Sequence, residues 1–392
     1  RLWDILAGSP PAPGGPRGGP AGRGGFVSRG CGRGAGARQG GEPGPDPTLP
    51  TETNSQRGAT APGLIVDAHL DIAYNALLNG HDFQGEPPPG YAVSRRALAE
   101  AGVGLVGATL MCAPASSRSM IGDLAPGQPV PTDLFYRTAR DAYLIAQAQV
   151  GYYRSVGFEL IQDRADLERY VRSWEPGRVA GILIMEGADA VERPDELDVW
   201  AQLGLRIVGL AWTRTRYSGG TGRPGGLTAA GRRLLSAMES QGLILDISHM
   251  ADRAVADAFE AWPGPVMASH SNARQLAPGD RQISDATIKG IAERGGVIGI
   301  SFYRKHLRPE GGAGIEDIVR HLDYMAELIG DTEHLGIGSD LDGGFRVADA
   351  AVGSVAELAL VRARLLERFG EQEVEGIMGG NWLSFFRRAL PS

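Results

Sequence analysis

The stretch GLIVDAHLD, residues 63–71, ends an apolar, β-forming run in His69 and Asp71, one leucine apart. Side chains alternate faces along an extended strand, so this histidine and aspartate leave it on the same side. Two metal-ligand side chains aimed together suggest a metal site; the plainer reading is a surface turn that Asp71 caps. Four more such residues close apolar runs further along: Glu186 in VAGILIME, His249 in LILDISH, His270 in PVMASHS and Asp340 in HLGIGSD. Singly, each has an ordinary explanation. Glu186 could be ion-paired with an arginine, His249 a hydrogen-bonded core histidine, His270 part of a turn with Ser271 and Asn272, and Asp340 competes with Asp342 in a Gly-rich loop. Taken together, imidazoles and carboxylates suit Zn²⁺ or a similar borderline ion better than Mg²⁺. Two ions about 3.5–4 Å apart, sharing a carboxylate, would hold a bridging hydroxide and polarise a carbonyl. A carbamylated lysine bridge is closed, because the two lysines, Lys289 and Lys305, lie away from the ends of the third and fourth runs; Glu186 is the available bridge.

These residues meet only if the elements carrying them converge. From residue 64 onward, short apolar runs (64–69, 104–111, 179–186, 205–212, 243–249, 265–271, 296–302 and 334–340) alternate with helical patterns such as 133–157, 227–242, 284–296 and 314–330. Near-continuous apolar runs are what parallel strands buried on both faces require. Eight such units predict an α/β fold, a (β/α)8 TIM barrel, with a doubly wound open sheet as the runner-up. In the barrel every strand end opens on one face, so all six side chains share a mouth. His81, His306, His321 and His334 fall in helical patterns, in loops or at a strand start and are given no role. Residues 371–390 predict a terminal helix interrupted at Gly379-Gly380, packing Trp382, Phe385 and Phe386 on the barrel.

The first 60 residues differ in kind, with 16 Gly, nine Pro and almost no apolar periodicity. Such a segment buries too little surface to fold, so residues 1–62 read as a disordered Gly/Pro/Arg-rich tail and 63–392 as one barrel domain. The chain starts with Arg, and a cloning or fragment artefact ranks above any function for the tail. Residues 1–60 carry seven Arg against four acidic side chains, leaving about −10 of the net −7 on the body. An acidic body argues against nucleic acid as a partner. No apolar run spans a membrane, and neither a secretory core nor a lipid-anchor tail is legible. Cys31 and Cys112 are too few for a disulfide framework. The expected location is the cytoplasm, unless an export signal precedes residue 1.

The motifs DAHLD (67–71), EGADAV (186–191), LGLRIVGLAWT (203–213), GLILDISHM (242–250), PVMASHSNARQL (265–276), DRQISDATI (280–288), HLDYMAELIG (321–330), GIGSDLDGG (336–344) and GGNWLSFF (379–386) occur in this order. Together they resemble the membrane (renal) dipeptidase family, peptidase family M19, within the amidohydrolase-like barrels. The resemblance implies a zinc-dependent dipeptidase in which His69 and Asp71 hold one Zn²⁺, His249 and His270 the other, and Glu186 bridges them. It further implies that Asp340 is the acid/base and that Arg281 binds the free carboxylate of a dipeptide. A homodimer is the implied assembly. One position departs from the pattern: where the family carries a histidine at the end of the fourth strand, this chain has Trp212. Indole offers one N–H and no positive charge, and loss of an oxyanion donor costs about 10²–10³ in rate. Arg214, Arg216 or Tyr217 would have to take over, or the substrate range is altered. Three readings follow: a zinc dipeptidase, a metal-dependent hydrolase of another small amide or lactone, and a non-catalytic metal-binding barrel, which the retention of Asp340 disfavours.

Overall fold

Eight parallel strands carry the architecture: β1 (Ile65–Leu70), β2 (Val103–Met111), β3 (Ala180–Glu186), β4 (Leu205–Gly209), β5 (Ile244–Asp246), β6 (Val266–Met267), β7 (Ile298–Ile300) and β8 (Leu335–Ile337). The computed structural model describes residues 63–117 and 134–392, all within the compact unit Gly58–Ser392. The tail expected over residues 1–62 lies outside the described residues.

Along the sheet the order is β6-β5-β4-β3-β2-β1-β8-β7, and the short strand Glu159–Leu160 also pairs with the first residues of β3, Ala180 and Gly181. A parallel bridge between Ala268 and Ile298 joins the two ends of that order, so the strands run 1 to 8 around a barrel. Closure, which alternation alone leaves open, settles the fold as a TIM barrel rather than an open sheet.

Strands β4 to β8 are shorter than the apolar runs predict, because the chain leaves the ladder two to four residues early to build the loops of the mouth. Two apolar layers result. Val66, Ala68, Leu105, Ile182, Ile184, Ile207, Ile244 and Met267 point into the barrel, while alternate residues pack against the surrounding helices. The helices follow their caps. Ser284 accepts from Thr287 N–H at 3.3 Å to start Asp285–Ala292, and Gly330, in the left-handed region at φ 100°, ends Ile315–Ile329.

The lower end of the barrel is closed by the C-terminal segment. Its expected interruption is a π-helical turn, Gly376–Gly380, that leads without a break into the helix Asn381–Ala389. A Cβ on Gly379 would lie 2.5 Å from the Leu64 carbonyl oxygen, so this close approach requires glycine. Trp382, Phe385 and Phe386 are buried as predicted, and the Trp382 indole donates to the Ile337 carbonyl at 2.9 Å.

Candidate metal centre

Six residues flagged by their position at strand ends gather at the upper mouth. Glu186 is the last residue of β3, whereas His249, His270 and Asp340 each lie three residues past their strands. His249 and Asp340 reach inward through left-handed backbone, φ 65° and 60°; with Asp342 they are the non-glycine residues of positive φ among those described. Such strain persists where surrounding contacts fix it, commonly at functional sites. Asp342 does not join the cluster: its carboxylate accepts the N–H groups of Ala92 (3.0 Å) and Val93 (2.8 Å).

Glu186 sits at the centre. Its Oε1 is 3.1 Å from His249 Nε2 and 3.5 Å from His270 Nε2, and its Oε2 is 3.4 Å from His69 Nε2. Among the described residues no arginine pairs with it, and its partners are the three histidines. His69 Nε2 also faces Asp71 Oδ1 at 4.0 Å, as strand alternation predicts, and has no hydrogen-bond partner although buried. Ligand atoms of His69, Glu186 and His270 lie within 4.8 Å of one another, as do those of His69, Asp71 and Asp340. Asp340 therefore stands among the ligand-type groups rather than behind them.

Electrostatics at the mouth show what the cluster lacks. Burial pushes the Asp340 carboxyl well above its ordinary value, with Asp71 and Glu186 adding to the shift. Asp71 is raised to about 7, by burial and by Glu186. His69 is driven the other way from its burial, up to about 10, by Glu186, Asp71 and Asp340. Burial lowers His270 well below the ordinary range, helped by His69 and Arg281. Three crowded carboxylates and three imidazole nitrogens that face one another form a donor set that fits divalent cations.

Sequence reasoning missed the groups that aim the ligands. Ser269 Oγ is 3.1 Å from His69 Nδ1 and 2.7 Å from His270 Nδ1, and donates to Asp246 Oδ2 at 2.6 Å. Thr109 donates to Asp71. Asp67 accepts from Ser339 N–H at 2.8 Å, which pins the loop carrying Asp340. Holding the outer nitrogen fixes a ligating histidine's ring and tautomer. A signal was present: Asp67, Thr109, Asp246 and Ser269 are polar residues inside runs otherwise apolar enough to be core.

Arg281, on the loop after β6, is buried beside this cluster. Its Nη2 donates to the His270 carbonyl at 2.8 Å, while Nε and Nη1 are buried without partners. Unpaired guanidinium N–H groups beside a catalytic-type mouth form a ready anion clamp. The Trp212 ring stands 6.2 Å from that of His249. None of its proposed substitutes reaches the cluster. Arg216 is held by Asp189 Oδ1 (3.1 Å) and the Val191 carbonyl (2.8 Å), Tyr217 donates to the Val191 carbonyl (2.5 Å), and Arg214 donates to Pro224 (2.6 Å). These three side chains shape the loop. Of the histidines given no role, His321 is a core residue, its Nδ1 accepting from Ala273 N–H (3.2 Å) and its Nε2 donating to the Leu307 carbonyl (2.9 Å). Lys289 lies in the helix Asp285–Ala292 and Lys305 in Arg304–Leu307, so neither bridges the centre. Among the described residues, no helix is long and apolar enough to cross a membrane.

Known proteins similar to this chain include peptidases. A crystal structure of a metallo peptidase from Rhodobacter sphaeroides, liganded with a phosphinate mimic of the dipeptide L-Ala-D-Ala, superposes with a TM-score of 0.72 at 25% identity, covering 84% of this chain and 100% of that one. A Klebsiella pneumoniae protein described as an uncharacterized protein in the pqqA 5' region is 31% identical over 66% of this chain and 96% of its own length. Dipeptidase aclJ of Aspergillus oryzae is 30% identical over 53% of this chain, an alignment spanning 51% of that protein. The membrane dipeptidase family profile, peptidase family M19, matches residues 62–390. Since that match runs through every strand of the barrel and all six residues at its mouth, the chain belongs to the membrane dipeptidase family, a family of metallopeptidases.

Proposed function

We propose that this metallo-dipeptidase is a zinc enzyme that hydrolyses the peptide bond of free dipeptides at the barrel mouth. The observation that carries the reading is the meeting of three histidine Nε2 atoms on the two oxygens of one buried glutamate, within 3.1 to 3.5 Å. His69 and Asp71 would hold one Zn²⁺, His249 and His270 the second, with Glu186 between them. When bound, such ions supply Lewis acidity, polarising the scissile carbonyl and acidifying water.

The remaining work falls to the chain. Arg281 receives the substrate's C-terminal carboxylate through its unpartnered N–H groups, which restricts the site to short substrates. Asp340 takes the proton that the attacking water loses as its oxygen bonds to the carbonyl carbon, and returns it to the leaving nitrogen when the C–N bond breaks. Asp340 is placed for both tasks, its carboxylate lying within 4.8 Å of the ligand atoms of His69 and Asp71.

The test is amino-acid release from L,L- and L,D-dipeptides by zinc-loaded protein, with chelated controls and a C-amidated partner for each substrate. A C-terminal D-residue belongs in the panel because the Rhodobacter protein was crystallised with a mimic of one. Chelator-sensitive turnover abolished by C-amidation is expected. Turnover of C-amidated substrates at equal rates would refute the Arg281 role.

Trp212 supports a second reading, hydrolysis of another small amide or lactone, because among the described residues neither Arg214 nor Arg216 replaces the family histidine there. Silence on every dipeptide with zinc bound would put this reading first. An unchanged substrate profile in Trp212→His would remove Trp212 as a determinant.

A further inference from the structure

The three histidines of the centre do not owe their orientation to the same part of the fold. His69 and His270 share Ser269, which the barrel itself holds through Asp246. His249 turns its Nδ1 outward to Thr221 Oγ1 at 3.1 Å. Thr221 belongs to none of the eight barrel strands. It sits at the turn between the short antiparallel strands Ser218–Gly220 and Arg223–Leu227.

That hairpin is built to hold its tip in place. Gly220 bridges Met250, and Ala251 N–H donates to the Gly219 carbonyl at 3.1 Å, so the hairpin pairs with the residues that follow His249. On the other side of Thr221, Gly222 N–H donates to Asp280 Oδ2 at 2.7 Å, the residue before Arg281. A Cβ at Gly219 would lie 2.5 Å from Gly225 N, and one at Gly220 would strike the Thr213 carbonyl, so the glycines permit this close packing. The Thr221 hydroxyl also lies 3.4 Å from the His249 carbonyl oxygen, as a long hydrogen bond. With its proton directed there, the hydroxyl oxygen accepts from Nδ1–H, which leaves the Nε2 lone pair facing Glu186 and His270.

We infer that Thr221 is a positioning residue for His249: anchored between Met250 and Asp280, the hairpin tip sets the tautomer and ring angle that make His249 Nε2 a metal ligand. The inference rests on the reading that His249 holds a metal. It also ties the ligand loop to the loop of Arg281, since both share the hairpin as a support.

The experiment is zinc binding to the metal-stripped full chain by competition with a chromophoric chelator, for wild type, Thr221→Val and Thr221→Ser. Valine preserves shape and removes the hydroxyl, and Thr221 is only half-buried, so the fold is expected to persist, which circular dichroism checks. Wild type is expected to bind two ions. Thr221→Val should keep one tight site and weaken the other by about 10–100-fold, and Thr221→Ser should restore it. Imidazole ¹⁵N shifts should show His249 protonated on Nδ1 in wild type and mixed tautomers in Thr221→Val. Two sites of wild-type affinity in Thr221→Val, or a serine variant as weak as the valine one, would overturn the inference alone. A wild type that binds no zinc would overturn the proposed function and this inference with it.

Discussion

The two ends of the barrel are made by the same strands and bury their side chains equally well, yet they obey opposite rules. At the lower end Trp382, Phe385 and Phe386 close an interior of Val66, Ile182 and Ile184, and the one polar atom of Trp382 is satisfied by Ile337. At the upper end His69, Asp71, Glu186, His270, Asp340 and Arg281 are also buried, but His69 and Arg281 keep nitrogens without partners. Buried apolar surface stabilises, whereas buried unpaired polar groups cost stability until a ligand satisfies them. The lower end holds the barrel together, and the upper end keeps its unsatisfied groups for what it binds.

The strongest attack on this contrast is at the lower end. Trp382→Ala should destabilise the protein by about 3–5 kcal/mol, read by urea denaturation, with KM unchanged in the protein that remains folded. A large change in KM would mean that the two ends are not separable. Glu186→Gln at the upper end should do the reverse, reducing kcat/KM by about 10³-fold while the circular dichroism spectrum is retained. Metal removal sharpens the comparison further. Free zinc at 100 times its dissociation constant should stabilise wild type by about 2.7 kcal/mol, and Glu186→Gln should lose most of that increment, measured as a shift in melting temperature.

The smallest effect comes from a histidine at neither end. Burial pushes His321 down to about 4, so below its unfolded value near 6.5 the unfolded chain takes up a proton that the native state refuses. Its contribution is therefore complete above pH 6.5 and lost as pH falls toward 4, amounting to about 1.4 kcal/mol at pH 5.5. The difference in stability between wild type and His321→Gln, followed from pH 8 to 5.5, should shrink by that amount. A constant difference would show that His321 is not held neutral.

Much of the upper end was legible in the sequence because strand ends are. An apolar run ending in His or Glu places that side chain at the mouth once the fold is a parallel barrel, and Glu186 and His69 lie where this logic puts them. The strand lengths were less legible: β5 to β8 hold two or three residues each where the runs suggested about seven. Apolar composition continues into the buried loops of the mouth, so it does not mark where the ladder stops. The interruption expected at Gly379-Gly380 is a π-turn, because glycine there answers the close approach of β1 rather than a break in the helix.

What the sequence determined by itself is the alternation of strand and helix, the apolar lower plug and the identity of the residues at the mouth, all of which depend on residue type and local spacing. Tertiary structure alone decided which nitrogen of each histidine turns inward, what holds Asp342 away from the cluster, and that Arg214, Arg216 and Tyr217 do not join it. Those outcomes hang on left-handed backbone at His249 and Asp340 and on partners far along the chain, such as Ser269 for His69 and Thr221 for His249. Contacts of that kind exist only after closure of the barrel brings distant loops together, and no local pattern of residues encodes them.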